Sequence, residues 1–389
     1  MLSRESLKVV HFILIAVFAF SSLAYSSPVS RPQAEDAPDM SEQAVQVFEI
    51  TRDRDFKKVQ AILDERGTDP LLIKIAAGEY KLKRSLHINR SNVTVRGESG
   101  VLLKLANKAQ TPVIAVGSQA EYPLDSERIQ NIAILDLEID GNREAQLSEY
   151  DRHLPWIRNN GIDVRTVTGL RVEGVRCGNN RSGGLVISWR CRDVLAKNCI
   201  FDNNYFDGVA YYDSTQVYTV DCDLRDNQGA GVSIDNAVYD ALFSNCLIQN
   251  NQDVGVFARH STGLMFYQST IRNSGNWAFF LSHDDNENGV FNVEIASCSI
   301  EENNGGVRMG SVDTKQSSGN RVTLTSFAGN DAGGRTDLST AGSPIDRLEA
   351  GWNPLSDGLV EGSRSVRPFS KRLYQALNKY DSLVGAPES

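Results

Sequence analysis

Apolar and polar positions alternate in a short phrase that returns along most of the chain. In each copy the second and fourth residues are apolar, as Leu185 and Ile187 or Val232 and Ile234 show. Strict alternation over a short run predicts a β-strand with one buried face. The copies are GIDVRT (161–166), GLVISW (184–189), GVAYYD (208–213), GVSIDN (231–236), GVFARH (255–260), AFFLSH (278–283) and GVRMGS (306–311).

A second strand phrase carries a cysteine and sets the period. Its equivalent positions are Val175, Cys199, Cys222, Cys246, Ser269 and Cys298, and the first four steps are 24, 23, 24 and 23 residues. A fixed period in this range is typical of stacked-repeat proteins. Because no helical spacer separates the strands, the pattern predicts a parallel β-solenoid in which each coil pairs with the next, about 4.8 Å away.

The chain resembles a known superfamily at these repeats, at IKIAAGEYKLKRSLHINRSNVTVRGE (73–98) and at LDLEIDGN (135–142). They look like the pectate-lyase-like right-handed parallel β-helix proteins, over roughly residues 50–330. The resemblance implies an all-β fold, a right-handed parallel β-helix. That superfamily includes polysaccharide lyases, glycoside hydrolases, uronate epimerases and non-catalytic binding proteins, and the fold alone does not choose among them.

The ends of the chain differ from the repeats. Arg4 and Lys8 precede an apolar run at 12–20 that is too short for a membrane span, which predicts a signal peptide, a secreted or periplasmic protein and no transmembrane span in the mature chain. Apolar spacing predicts a short helix at 52–66 that caps the first coil. The predicted units are a signal peptide (1–26), a flexible leader (27–50), the β-helix (51–335) and a C-terminal extension (336–389) with a helix at 370–384.

Cysteine and asparagine recur for structural reasons. Stacked side chains lie about 4.8 Å apart, beyond the usual disulfide range, so the six cysteines are expected to be buried thiols. Asparagines recur at one turn, and we expect them to form a ladder of side-chain amides. Net charge is −9, which gives no overall basic field for nucleic acid. The ladder candidates are Asn179, Asn180, Asn203, Asn204, Asn227, Asn250, Asn251, Asn273, Asn303 and Asn304.

Stacking predicts one cluster of ionisable side chains on the outside of the Gly-initiated strands. Three successive coils present Tyr212-Asp213, Asp235-Asn236 and Arg259-His260, and the next presents His283. The aromatic residues Trp189, Phe257 and Phe280 face outward at the same level, where they suit the flat apolar face of a sugar ring. A solvated polar surface is the simpler interpretation of the same pattern.

Two long coils are expected to frame this cluster. About 14 extra residues lie near 143–158 and about five near 284–289, and insertions are where solenoids place function. Substrate contacts are therefore expected from the first insertion and from the start of the second. These residues are Tyr150, His153, Trp156, Asp284 and Asp285.

The cluster suits a lyase or C5-epimerase acting on a uronic-acid polysaccharide. Arg259 or Arg308 would neutralise the substrate carboxylate, His260 or His283 would remove a proton, and Tyr212 would act as the acid. Asp235 would orient Arg259 or, with Asp213, bind Ca²⁺. LSHDD (281–285) also resembles the Asp-Pro-His-Asp stretch of periplasmic mannuronan C5-epimerases at His283 and Asp284, which implies a histidine base, although Leu281 and Ser282 depart from it.

Two other functions remain open at this stage. A glycoside hydrolase needs two carboxylates about 5–10 Å apart, and Asp213 and Asp235 lie one coil apart. A non-catalytic carbohydrate-binding or surface protein needs only the aromatic and charged side chains. The histidines of the cluster favour proton transfer.

Overall fold

The computed structural model describes residues 45–65, 67–283, 288–309, 320–330 and 345–349. The predicted signal peptide, most of the predicted leader and the predicted helix at 370–384 lie outside these residues, as do Asp284 and Asp285. Within the described residues no helix is long and apolar enough to cross a membrane.

The alternating phrases form the three parallel sheets of a right-handed type of β-helix. In the described part of the chain, sheet 1 has 12 strands, sheet 2 has 10 and sheet 3 has 9. Each strand pairs with its equivalent on the neighbouring coils, as Leu170 does with Ile132 and Val194. The all-β solenoid expected from the sequence is confirmed.

The strands follow one another around each coil from sheet 1 to sheet 2 to sheet 3. Sheet 1 comprises Gln46–Ile50, Leu71–Ile75, Val93–Gly97, Ile129–Leu135, Val167–Glu173, Cys191–Lys197, Ser214–Val220, Val238–Ser244, Ser261–Tyr267, Val290–Ala296, Asn320–Thr323 and Ile345–Glu349. Sheet 2 comprises Gly78–Leu82, Val101–Leu105, Glu138–Asp140, Arg176–Gly178, Ile200–Asp202, Asp223–Arg225, Leu247–Gln249, Thr270–Arg272, Ser299–Glu301 and Ser326–Ala328. Sheet 3 comprises Leu86–Ile88, Ile114–Gly117, Ile162–Arg165, Leu185–Ser188, Val209–Tyr212, Val232–Asp235, Val256–Ala258, Trp277–Leu281 and Gly305–Met309.

The cysteines lie in the interior, where the period places them. The backbone N–H of Asp223 donates to the Cys199 carbonyl and that of Leu247 to the Cys222 carbonyl, so these cysteines stack on successive coils. All six cysteines are buried and free. Burial raises the pKa of Cys177, Cys191 and Cys298 to about 12, which keeps these thiols protonated.

The predicted asparagine ladder is present and runs along the corner after sheet 2. The side-chain amide of Asn180 donates to Oδ1 of Asn204 at 2.7 Å, Asn204 donates to Asn227 at 2.8 Å, and Asn227 donates to Asn251 at 2.9 Å. Ser274 takes the next position. Each Oδ1 also accepts the backbone N–H of the residue that precedes it in the ladder, which satisfies polar groups that the corner buries.

The predicted N-terminal helix exists but is shorter than expected. It spans Asp55–Asp64, and its buried Phe56, Val59 and Leu63 belong to the hydrophobic core. The Gln60 side chain donates to the His87 carbonyl and accepts the His87 N–H, both at 2.9 Å. His87 lies in the terminal strand of sheet 3, so this amide satisfies backbone groups at the edge of the sheet.

Two boundaries drawn from the sequence are wrong. Residues 46–50, assigned to the flexible leader, form the first strand of sheet 1, because Phe48 and Ile50 pack into the core. Ile345–Glu349, assigned to the C-terminal extension, pairs with the Asn320–Thr323 strand of the same sheet. The β-helix therefore begins before residue 51 and extends past residue 335.

Sheet 1 carries a second apolar cluster that the sequence analysis missed. Leu195, Tyr218, Leu242 and Met265 are register partners on four adjacent strands, and each is almost completely buried. Their strand neighbours Val194 and Ala196 belong to the interior core, so these four side chains lie on the outer face of the sheet.

Candidate functional site

The strand register places the predicted site residues on one outer face of sheet 3. Tyr212 pairs with Asp235, Ser233 with Phe257, and Phe257 with Phe280. Phe280 in turn pairs with Arg308. The predicted vertical stacking is therefore confirmed for these strands, and the outer face of sheet 3 is the candidate site.

Asp235 joins Tyr212 and Arg259 at the centre of this face. The Arg259 guanidinium donates from Nε to Asp235 Oδ1 at 2.9 Å and from Nη2 to Oδ2 at 2.5 Å. Such a two-point pair fixes the plane of the guanidinium. The predicted orienting role of Asp235 is consistent with this contact.

Tyr212 remains protonated at neutral pH. Desolvation raises its pKa to about 12, the nearby Asp207 and Asp235 carboxylates add to the rise, and a hydrogen bond with Ser233 opposes it. A protonated phenol beside a carboxylate–guanidinium pair can donate a hydrogen bond or a proton to a bound group.

Aromatic rings and arginines continue the face toward its C-terminal end. Phe257 and Phe280 meet edge to face with ring centroids 5.9 Å apart. The Arg308 guanidinium lies 5.2 Å from the Phe280 centroid and 5.6 Å from that of Trp277, and Arg259 lies 5.7 Å from Phe257. We call Phe257, Trp277, Phe280 and Arg308 the aromatic–arginine strip; Trp277 was not predicted.

Arg308 is the cation of the strip. Its residue is exposed, and it makes no ion pair with any residue that the structure describes. Cation–π contacts hold a guanidinium over a ring without using its hydrogen-bond donors. The contacts with Trp277 and Phe280 therefore leave the Arg308 donors open to another partner, such as an anionic ligand.

The two histidines of the predicted site lie at the end of sheet 3. His260 directly follows Arg259 and is half-buried, with a φ of 41°. His283 is also half-buried, and its Nδ1 atom is enclosed without a hydrogen-bond partner among the described residues. His260 follows the strand that carries Phe257, and His283 follows the strand that carries Phe280.

The sixth residue of each Gly-initiated phrase, such as Asp213 in GVAYYD, lies in a turn. Strand alternation therefore does not determine where its side chain points. Thr166, Trp189, Asp213 and His260 have φ values of 60°, 58°, 40° and 41°, in the left-handed region. Thr166 is completely buried. This column forms the corner between sheet 3 and sheet 1 rather than the flat outer face.

Two predicted site residues therefore contact a different part of the molecule. Trp189 packs edge to face on Tyr122 at 6.2 Å, with the Arg165 guanidinium 5.4 Å from its ring. Desolvation raises the pKa of Asp213, and the Asp213 backbone carbonyl accepts the Arg190 N–H at 2.6 Å. Asp235 instead pairs with Arg259, so the structure shows no shared partner for Asp213 and Asp235.

The first insertion crosses toward the N-terminal end of sheet 3. Trp156 donates from Nε1 to the Gln119 carbonyl at 3.0 Å, and Arg152 donates its backbone N–H to the Gln110 carbonyl at 2.8 Å. His153 lies on this N-terminal side as well. The expected framing of the cluster by the two insertions stays a prediction, since these contacts lie at the N-terminal end of sheet 3 and most of the second insertion lies outside the described residues.

The end of the first insertion does reach the central face. The Arg158 guanidinium lies 4.9 Å from the Tyr150 ring centroid and 4.8 Å from that of Phe206. Its positive charge also acts to lower the pKa of Tyr212 and of Asp207, against the larger rise caused by desolvation. Arg158 therefore adds a third arginine to the candidate site.

Two carboxyl groups of this region were not predicted. Burial raises the pKa of Asp163 to about 6 against the opposing charge of Arg165, and Asn160 donates to its Oδ2 at 2.7 Å. Desolvation also raises the pKa of Asp207 to about 6, although its Oδ1 accepts the Ala230 N–H at 2.8 Å. Asp163 occupies the third position of its repeat and could have been selected from that column; Asp207 precedes a strand and carries no comparable signal.

No metal site is evident in the described part of the chain. There, no three His, Cys, Asp or Glu side chains are grouped so that they could hold a metal ion. Electrostatically the face instead combines a paired carboxylate, Asp235, with arginines and aromatic rings. Such a surface can bind an anion that also carries an apolar face.

Comparison with known proteins gives a family and a fold. A family model described as "Periplasmic copper-binding protein (NosD)" matches residues 135–340. No curated protein matches the sequence. Among solved structures, ORF18 of Geobacillus virus E2 is 14% identical with a TM-score of 0.52, and 72% of this chain covers 52% of that one.

Two further solved structures extend this picture. The Agl-KA catalytic domain is 14% identical with a TM-score of 0.50, and 70% of this chain covers 51% of it. The A-module of mannuronan C-5 epimerase AlgE6 from Azotobacter vinelandii is 14% identical with a TM-score of 0.44, over 78% of this chain and 93% of the module. The chain spans about half the length of the viral protein and of Agl-KA, and at this identity the similarity concerns the fold alone.

Proposed function

Because the chain belongs to the NosD family, which is described as periplasmic and copper-binding, we propose that it works outside the cytoplasm, where it binds an acidic polysaccharide along the outer face of sheet 3. The predicted signal peptide supports the export, and the aromatic–arginine strip supports the ligand. The single observation that carries the proposal is Arg308, which lies over two aromatic rings and has no described acidic partner.

Copper does not fit the described residues. Copper prefers thiolate, thioether or imidazole ligands that converge on one point. All six cysteines are buried. Burial raises the pKa of Cys177, Cys191 and Cys298 to about 12, so these thiols are not thiolates at neutral pH. In this part of the chain, no three His, Cys, Asp or Glu side chains are grouped so that they could hold a metal ion.

The strip matches an acidic sugar polymer in two respects. Phe257, Trp277 and Phe280 are half-buried, so each offers part of an aromatic ring to the apolar face of a sugar. Arg308 and Arg259 supply cationic donors at the same level, which suit a carboxylate or a sulfate. The net charge of −9 would repel a polyanion elsewhere, so binding should depend on these local cations.

Binding isotherms with acidic and neutral polysaccharides test this function. We expect binding to an acidic polymer at low salt, weakened about tenfold by Arg308→Gln or Phe280→Ala, since each removes one charge-assisted or stacking contact. Arg192→Gln is the matched control, because Arg192 is an exposed arginine on sheet 1. Equal affinity for neutral and acidic polymers, or equal loss in the control, would rule out this mode of binding.

A second candidate function is a uronate lyase or C5-epimerase reaction on the bound polymer. The observation that favours it is the neutral phenol of Tyr212 beside the Asp235–Arg259 pair. Removal of a C5 proton needs a neutralised carboxylate, a base and an acid. We assign these roles to Arg259 or Arg308, to His260 or His283, and to Tyr212.

Product analysis separates the two candidates. A lyase would generate an unsaturated sugar that absorbs in the ultraviolet, and an epimerase would shift the anomeric NMR signals. We expect turnover to fall at least about 100-fold in His260→Ala or in His283→Ala, whichever is the base. If the protein binds the polymer and neither signal appears, catalysis is excluded and binding remains.

The remaining alternatives have less support from the geometry. A glycoside hydrolase or a Ca²⁺ site built on Asp213 and Asp235 would need both carboxylates at one point. Asp235 is held by Arg259, while Asp213 lies beside Arg190. Release of reducing sugar from a neutral polymer, or binding that is lost with EDTA, would restore these alternatives.

A further inference from the structure

A separate pocket with a basic lining lies at the N-terminal end of sheet 3. It has a volume of about 860 Å³ and is lined by residues of three segments together with Gln60 and Gln119. The segments are 83–87, 106–111 and 151–154. We call it the basic pocket.

Four cations of the basic pocket have no acidic partner among the described residues. Lys83, Arg84, Lys108 and Arg152 are exposed, and none forms an ion pair within the part of the chain that the structure describes. This is unexpected in a chain of net charge −9, where acidic side chains outnumber basic ones. Uncompensated like charges around one cavity repel one another, and an anion in the cavity relieves that repulsion.

The single acidic residue of the described lining is already engaged. Asp151 is buried, and its Oδ1 accepts the backbone N–H groups of His153 at 2.7 Å and Leu154 at 3.0 Å. Its carboxylate thereby fixes the turn that carries Arg152 and His153. It serves the shape of the pocket rather than the neutralisation of its cations.

Hydrogen bonds hold the walls of the basic pocket together. Lys108 donates its backbone N–H to the Ala145 carbonyl at 2.9 Å, and Gln110 donates to Gln146 Oε1 at 2.9 Å. On the opposite wall, the His87 ring contacts the Gly117 carbonyl through Nε2 at 2.8 Å. The backbone at Lys108, and at Arg152 through its N–H to the Gln110 carbonyl, is fixed in this way, which reduces the entropy cost of binding at these two residues.

The basic pocket lies on the same outer face as the strip. His87 pairs with Ala115, and Ala115 with Asp163, in the column that continues to Phe257 and Phe280. Seven steps of about 4.8 Å separate His87 from Phe280, a span of roughly 34 Å. A linear polymer that follows sheet 3 can contact both places.

We infer that the basic pocket is a second anion-binding subsite, which binds a carboxylate or sulfate group near one end of an acidic oligosaccharide. The saccharide part of this assignment rests on the proposed function. Lys83, Arg84 and Arg152 supply the charge, and the Gln119 side-chain amide in the lining can contact a sugar hydroxyl. The subsite would set the direction of the polymer on the face.

Calorimetry at low salt with short oligogalacturonates, a long oligogalacturonate and inorganic sulfate tests the subsite. We expect Lys83→Gln/Arg84→Gln to weaken the short ligand about tenfold or more, as loss of two charge-assisted contacts implies. The control Lys74→Gln/Arg192→Gln removes the same charge from sheet 1, where both residues are exposed, and should leave affinity within about twofold. Arg308→Gln should weaken only the long ligand.

The outcomes distinguish this inference from the proposed function. Unchanged short-ligand affinity in Lys83→Gln/Arg84→Gln overturns the subsite and leaves the strip intact. If that variant loses affinity for the short ligand while Arg308→Gln keeps the wild-type affinity for the long ligand, the subsite is supported and the strip is overturned. Sulfate that binds as tightly as the saccharide overturns the saccharide assignment, and a wild-type protein that binds none of the ligands overturns both.

Discussion

At the scale of single residues, Asp163 shows the clearest conflict between burial and charge. Its carboxyl group is buried on the outer face of sheet 3, and desolvation raises its pKa to about 6 although Arg165 is nearby. Ionisation of such a buried carboxyl group lowers the free energy of unfolding. Groups of this kind concentrate at functional sites.

Asp163→Asn should stabilise the protein at neutral pH. Since the folded pKa of about 6 lies above the ordinary aspartate pKa of 3.8, the folded state binds more protons between these pH values, and stability falls as pH rises from about 4 to 6. An asparagine at position 163 does not ionise, so this loss of stability does not occur, and its side-chain oxygen can still accept the Asn160 hydrogen bond. We expect a gain on the order of 2 kcal/mol in the free energy of unfolding at pH 7.5 and almost none near pH 4.

Urea unfolding at both pH values measures this effect. Asp69→Asn serves as the control, because Asp69 is exposed and should change the free energy of unfolding by less than about 0.5 kcal/mol. A destabilised Asp163→Asn protein at pH 7.5, or a gain that persists unchanged at pH 4, would contradict the assigned cause.

The sequence predicted neighbours along a column better than the direction of individual side chains. The ion pair between Asp235 and Arg259 follows from the 24-residue step alone. Trp189 and Asp213 were expected on the same face, but their left-handed φ values of 58° and 40° turn them toward the corner. A repeat period fixes which residues stack, whereas side-chain direction depends on local backbone angles that the period does not encode.

At the scale of structural elements, the asparagine ladder stabilises the corner that follows sheet 2. Asn227 Oδ1 accepts the backbone N–H and side-chain amide of Asn204, and its own amide donates to Asn251 and to the Phe201 carbonyl. All four groups are buried. Removing one member therefore leaves several polar groups without partners on two adjacent coils.

Asn227→Ala should destabilise the protein by about 2–4 kcal/mol, since each buried polar group left unpaired costs about 1–3 kcal/mol. The exposed Gln252→Ala, on a nearby turn, is the matched control and should have little effect. Chemical denaturation of both variants measures the difference. A loss below about 0.5 kcal/mol for Asn227→Ala would show that the ladder is not stabilising.

Element type followed from the sequence, but element boundaries did not. Leu86–Ile88 and Val93–Gly97 are separate strands, because Asn92 adopts a φ of 60° at the corner between them. The helix expected at 52–66 spans Asp55–Asp64. Propensity and alternation identify strands, whereas corners depend on a single residue with an unusual backbone angle.

We propose that the helix Asp55–Asp64 caps the first coil through the contacts of Gln60 with His87.

At the scale of the whole molecule, a continuous interior of stacked apolar residues runs through all three sheets. The six cysteines are part of that interior rather than ligands or cross-links. We expect a thiol reagent to label almost none of them in the folded protein and all of them in urea, because a protonated, buried thiol does not react. Rapid labelling of any thiol in the native state, or its protection by copper, would contradict this assignment.

Both proposed binding places lie on one face of the solenoid, which leaves the fold with a directional surface about 34 Å long between His87 and Phe280. The measurement that tests this account most directly is a crystal structure of the protein with a long acidic oligosaccharide. The account predicts sugar rings along the outer face of sheet 3, with an anionic group at Arg308 and another at Lys83 and Arg84. Sugar bound on sheet 1 or sheet 2, or no bound sugar at saturating concentration, would contradict it.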